Sequence, residues 1–156
     1  MDGFSFLYLA LMMVLVLGLF FLLRGAQKGA LEELGAALAQ GDVERYLAML
    51  QSRKLGLVLR KSTLGLLRME GHIRAGDAAA VTADEKALQA MRLKPEERLT
   101  YLQKALCFHL AWGEKGRAEA TLGAMEALLE KEPDEKLQAA LNTARQLVEQ
   151  GDIHGE

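Results

Sequence analysis

Apolar residues are unevenly distributed along the chain. Residues 4–23 form an apolar run of twenty positions without a charged side chain, whereas later segments place apolar residues at every third or fourth position. A helix rises about 1.5 Å per residue, so twenty residues span ~30 Å, the thickness of a bilayer's hydrocarbon core. The pattern predicts an N-terminal transmembrane helix, assigned to residues 1–24, followed by amphipathic helices.

The residues that flank this run predict how it would sit in a membrane. No Lys or Arg precedes it and the run is long, so we expect an uncleaved anchor and not a signal peptide. Arg24 and Lys28 follow it, and the positive-inside rule then places the N-terminus outside. The single cysteine, Cys107, fits a reducing compartment. We therefore predict a single-pass protein of the plasma or inner membrane, with lipid contacts through residues 4–23 and a cytoplasmic C-terminal domain.

The rest of the chain is rich in helix-forming residues. Ala, Leu, Glu, Lys, Gln and Met dominate, and the best strand candidate, residues 54–60, has no second strand with which to pair. Residues 25–30 contain two glycines and are interpreted as a short linker. The predicted fold class is all-α.

One sequence pattern recurs four times after the linker. A glycine followed by an acidic residue stands at 41–42, 76–77, 113–114 and 151–152, at spacings of 35, 37 and 38 residues. Three positions before each glycine stands Leu38, Ile73, Leu110 or Val148. Glycine ends a helix in the left-handed conformation and the acid can cap the next helix. The spacing predicts repeated helical hairpins.

These hairpins resemble the tetratricopeptide repeat superfamily, most closely in residues 112–120 followed by Ala127 and Pro133. The resemblance covers roughly residues 30–151 and implies an α-solenoid of about three hairpins with a C-terminal capping helix. We assign the repeat domain to residues 31–151 and a tail to residues 152–156. Another array of α-helical hairpins would explain the same turns.

The resemblance also implies a function. Solenoids of this kind bind partners by surface shape and side-chain pattern, so we expect a scaffold or adaptor that binds a protein or peptide on the concave face of its repeats. The implied groove residues lie on the first helices of the second and third hairpins. They are Leu66, Glu70, Arg74, Thr100, Gln103 and Cys107.

An alternative function follows from charge. Residues 45–74 contain seven basic side chains and one acidic side chain, whereas residues 114–156 contain five basic and ten acidic ones. A basic face that lies against anionic lipid would make the domain a membrane-surface or oligomerisation element, and this alternative includes a homo-oligomer. The candidate lipid-facing basic residues are Arg53, Arg60, Lys61 and Arg68. On a continuous helix the first three of these would form one stripe.

Catalytic and metal-binding patterns are absent from the sequence. His72, His109 and His154 are far apart and no zinc motif accompanies them, so we expect no metal and no cofactor. Cys107 and His109 point in different directions on a helix, and Cys107 is interpreted as a small core residue. The acidic pairs 84–85 and 96–97 are assigned to first helical turns. The net charge of −2 gives no indication of nucleic-acid binding, and we predict that the chain is not an enzyme.

Overall fold

The computed structural model describes residues 22–131, 133 and 135–153, and these form eight helices without a strand. The predicted helical class is therefore found throughout this part of the chain. The helices are α1 (22–39), α2 (Val43–Leu50), α3 (Arg53–Val58), α4 (Lys61–Ala75), α5 (Ala78–Gln89), α6 (Pro95–Ala111), α7 (Lys115–Lys131) and α8 (Glu135–Ile153).

The predicted transmembrane helix is contradicted. None of the helices in the described ranges combines the length and the apolar character needed to cross a bilayer. The first of them, α1, carries Arg24, Lys28, Glu32 and Glu33 along its described length. The single-pass architecture and the membrane localisation derived from it are therefore corrected. Of the apolar run, residues 4–21 lie outside the described residues.

The chain divides into two compact units, and the division falls between Leu64 and Gly65. Among the described residues of the first unit, 22–64, the buried apolar ones are Leu34, Ala37, Tyr46, Leu55 and Leu59. Residues 53–61 do not form one helix, because Leu59 is extended (φ −104°, ψ 148°) between α3 and α4. The predicted continuous basic stripe through Arg53, Arg60 and Lys61 is therefore wrong.

Three of the four predicted turns have the expected geometry. Gly41, Gly76 and Gly113 have φ values of 74°, 72° and 70°. At each turn the glycine amide donates to the carbonyl three residues earlier (3.0, 3.1 and 3.2 Å). The amide of the following acid donates to the carbonyl five residues earlier (3.0, 3.0 and 2.8 Å). This is the Schellman arrangement, which satisfies the last carbonyls of a helix.

The acid in the first two of these turns also starts the next helix. Asp42 accepts from the amide of Arg45 and Asp77 from the amide of Ala80, each at 3.0 Å. The fourth predicted turn, at residues 151–152, is wrong because α8 continues to Ile153.

The second unit is built as stacked neighbouring helices. Helix α6 packs against α7 and α8, and α7 packs against α8. Helices α4 and α5 approach closely, since a Cβ atom on Gly65 would lie 2.8 Å from Leu88 Cδ2. Each large core side chain contributes roughly 1.5–3 kcal/mol by leaving water. The core includes Met69, Val81, Leu88, Leu106, Phe108, Met125 and Leu141.

Helix α8 has a polar outer face. Leu137, Leu141 and Ala144 are buried on its inner side. A polar outer face of this kind keeps the core of a helical stack away from water. Among the described side chains of α8, the exposed ones are Glu135, Gln138, Ala139, Asn142, Thr143, Arg145, Gln146 and Glu149.

Candidate functional site

The six predicted groove residues lie on α4 and α6 of the second unit and differ in exposure. Leu66 is buried in the core, and Glu70 is partly buried. Arg74, Thr100, Gln103 and Cys107 are exposed. The interpretation of Cys107 as a core residue is therefore wrong, while the assignment of these residues to partner binding stays a prediction.

Glu70 links the first helices of two successive hairpins. Its carboxylate accepts hydrogen bonds from Arg74 Nε on its own helix (2.8 Å) and from Lys104 Nζ on α6. Burial alone would raise the pKa of Glu70, but the hydrogen bonds from Lys104 and Arg74 outweigh it and lower the pKa below its ordinary value of 4.5. Both charged members of the predicted groove are thus engaged with each other.

Among the predicted lipid-facing residues, Arg53, Arg60 and Lys61 are exposed. Arg68 is exposed as well, but its Nε donates to Asp84 Oδ1 at 2.5 Å. That carboxylate is almost fully buried, and a buried charge requires a partner. The position of Arg68 is therefore explained by its ion pair.

Two consecutive acids of α5 reach the helices on both of its sides. Asp84 Oδ2 accepts from His72 Nδ1 on α4 at 2.6 Å, and Glu85 Oε1 accepts from His109 Nε2 on α6 at 3.0 Å. Both acids are buried. The prediction that they lie in a first helical turn is wrong. The helix begins at Ala78, and the acids occupy its middle.

His109 is held on both ring nitrogens. Its Nδ1 donates to Glu114 Oε2 at 2.7 Å while Nε2 faces Glu85, and the side chain is 4% exposed. A carboxylate can only accept, so both contacts are hydrogen bonds when each nitrogen carries a hydrogen. The bond from His109 and a weaker one from Arg117 lower the pKa of Glu114. This chain of contacts ties α5, α6 and the start of α7 together.

A cavity of about 450 Å³ adjoins His109 and opens between α5 and α7, with α6 as its floor. We call it the α5–α7 cleft. Tyr101 and Leu102 form part of the floor. Tyr101 and Gln103 are about 200° apart around the helix, so the cleft and the predicted groove residues of α6 lie on opposite sides of it. The other lining residues are Glu85, Leu88, Gln89, Leu93, Arg98, Arg117, Ala120, Thr121, Ala124, Ala127, Leu128 and Lys131.

Sequence reasoning missed the α5–α7 cleft and the buried acids. One signal could have found the acids: Asp84 and Glu85 fall at the core positions of a helix whose apolar face is marked by Val81 and Leu88. Buried acids at such positions require cations from neighbouring helices. The cleft itself depends on the distance between α5 and α7, which no local pattern encodes.

Within the described ranges, no group of three or more His, Cys, Asp or Glu residues is arranged to hold a metal ion. Comparison with protein-family models, with curated proteins and with solved structures gave no match. The resemblance to tetratricopeptide repeats therefore stays a prediction. What the structure defines is an all-helical unit of stacked hairpins with a cleft between two of its helices.

Proposed function

We propose that this chain is a scaffold or adaptor whose second unit binds a segment of a protein partner. The observation that carries the proposal is the α5–α7 cleft, whose volume lies within the ~300–1,000 Å³ typical of ligand sites. Its lining combines apolar and charged side chains, which suits recognition of a peptide chain. The cleft is preferred to the predicted groove because Leu66, Glu70 and Arg74 are already engaged within the fold.

Binding is favoured over catalysis by the state of the cleft's histidine. Both ring nitrogens of His109 face carboxylates, so neither is left to take a proton from a substrate. Glu85 and Glu114 are themselves engaged with the two ring nitrogens of His109. No observation on the described residues favours the alternative of a lipid-facing basic element, which stays a prediction.

Site-specific photocrosslinking in cells that express the chain tests this proposal. A benzophenone amino acid is placed at Ala124 in the cleft, at Gln103 on the predicted groove, or at Ala139 on the outer face of α8, all of which are exposed. We expect one discrete protein adduct from position 124 and none from position 139. An adduct from position 103 alone would move the partner to the predicted groove, and no adduct from either position would contradict the binding function.

A further inference from the structure

The walls of the α5–α7 cleft are asymmetric in side-chain size. Helix α7 contributes Ala120, Ala124 and Ala127, all exposed, along one side. Three of the lining leucines come from α5, the α5–α6 connection and α6, whereas Leu128 is on α7 itself, and larger side chains in place of the alanines would fill the space that these leave. The cleft can therefore accept an apolar side chain from outside. The four leucines that line it are Leu88, Leu93, Leu102 and Leu128.

The basic side chains of the cleft outnumber the acids left to neutralise them. Glu85 is paired with His109, and Arg117 lies 3.3 Å from Glu114. Arg98 and Lys131 are exposed, and within the described part of the chain neither is paired with a carboxylate. Two cations at the rim of an apolar cleft are complementary to acidic side chains.

Tyr101 adds a neutral donor at the cleft floor. Its hydroxyl oxygen accepts from Gln89 Nε2 at 2.9 Å, which leaves the hydroxyl hydrogen to point elsewhere. Burial raises the pKa of Tyr101, although the bond from Gln89 acts in the opposite direction. The phenol therefore stays protonated at neutral pH and can donate to a carboxylate.

The shape of the cleft favours a chain segment over a free small molecule. Gln89, Arg98 and the three alanines are all exposed, so the cleft is open along its length. Small ligands bind in pockets that cover about 70–90% of their surface, whereas open grooves between helices receive peptide segments that insert anchor side chains.

From these features we infer that the α5–α7 cleft binds an acidic, amphipathic segment of a protein partner, in which a large apolar side chain enters beside the alanines and neighbouring Asp or Glu side chains meet Arg98 and Lys131. The inference rests on the proposed binding function and names the chemistry of its partner. It concerns the opposite side of α6 from the predicted groove.

Selection from a random peptide library displayed on phage, with the full chain as bait, tests the inference. We expect the enriched peptides to carry Leu, Phe or Met within one helical turn of Asp or Glu. The double variant Arg98→Gln, Lys131→Gln should bind them about fourfold to twenty-five-fold more weakly, since each rim ion pair changes affinity by about two- to fivefold. The matched control, Lys86→Gln, Arg92→Gln, removes the same charge from exposed positions that do not line the cleft.

Each other outcome overturns the inference in a distinguishable way. Enriched peptides without acids, or peptides that bind both double variants equally, would refute the assigned chemistry while a crosslink from Ala124 would still support the binding function. The absence of enrichment would refute a peptide-binding cleft. Concentration-dependent self-association lost only in the Arg98→Gln, Lys131→Gln variant would place a second copy in the cleft. Circular dichroism checks that each variant remains folded.

Discussion

At the scale of single residues, α5 is held by acids whose partners come from neighbouring helices. Asp84 reaches α4 and Glu85 reaches α6, and both carboxylates are almost fully buried. Adjacent residues of a helix point about 100° apart, so consecutive acids can serve two different neighbours. These contacts fix the position of α5, and with it one wall of the α5–α7 cleft.

Replacing Glu85 by Ala should destabilise the second unit strongly. Loss of its carboxylate leaves the buried Nε2–H of His109 without an acceptor, although Nδ1 keeps Glu114, and an unsatisfied buried donor costs about 1–3 kcal/mol. Urea unfolding followed by circular dichroism measures the difference. The control, Lys86→Ala, removes an exposed neighbour and should change the free energy of unfolding by less than about 0.5 kcal/mol. Equal effects of the two changes would show that the pair is not formed.

Glu70→Gln should lower stability in a pH-dependent way. Because the folded-state pKa of Glu70 is lowered, its contribution is present above the ordinary value of 4.5 and is lost as the pH falls through the folded-state pKa. The free energy of unfolding of the wild type should exceed that of the variant by about 1 kcal/mol at neutral pH, and this difference should disappear in acid. Thermal unfolding at a series of pH values measures it, and a gap that does not change with pH would contradict the Glu70–Lys104 contact.

The residue-level picture could be predicted only in part. Leu34, Met69 and Leu106, each seven positions before a turn glycine, are buried as helical periodicity requires. Cys107 is exposed although the flanking Leu106 and Phe108 are buried, because it lies on the face of α6 opposite the core. The ion-pair partners could not be predicted, since His72 and Asp84 or Glu85 and His109 meet only after the helices have packed.

At the scale of elements, the turns were the most predictable feature because their geometry is local. Glycine alone readily adopts the positive φ of a Schellman turn, and the next acid provides the cap. The beginning of α5 was less predictable, because Asp77 and Thr82 stand five residues apart and residues of both types can cap a helix. Asp77 caps the helix first, and the hydroxyl of Thr82 then donates to the carbonyl of Ala78 (2.9 Å) instead of acting as a cap.

Gly76→Ala should destabilise the hairpin of α4 and α5. Placing an L-residue at a φ of 72° costs about 1–2 kcal/mol. The control, Gly116→Ala, introduces a Cβ that meets nothing within 4 Å in α7 and should stabilise the fold by up to about 1 kcal/mol. Chemical denaturation of both variants measures the change in the free energy of unfolding, which should be a decrease for Gly76→Ala and an increase for Gly116→Ala. A stabilising Gly76→Ala would contradict the turn geometry.

At the scale of the whole molecule, the prediction based on the periodic segments and the prediction based on the apolar run fared differently when compared with the structure. Periodicity correctly predicted a helical second unit, since packing of an amphipathic face follows from its sequence. The predicted membrane-spanning architecture was wrong, because no helix in residues 22–131 and 135–153 is long and apolar enough to cross a bilayer. The α5–α7 cleft was not predictable, because it arises where small residues of α7 leave space beside α5.

The central claim is that the α5–α7 cleft holds a segment of a protein partner, and filling the cleft tests it most directly. Ala124→Trp places a large side chain in the cleft, and Ala139→Trp places the same side chain on the outer face of α8. Quantitative mass spectrometry of proteins recovered with each variant measures the effect. A partner recovered with the wild type and Ala139→Trp should fall by about tenfold with Ala124→Trp, a loss of about 1.4 kcal/mol in binding. Equal recovery with both variants, each with an unchanged unfolding temperature, would contradict the claim.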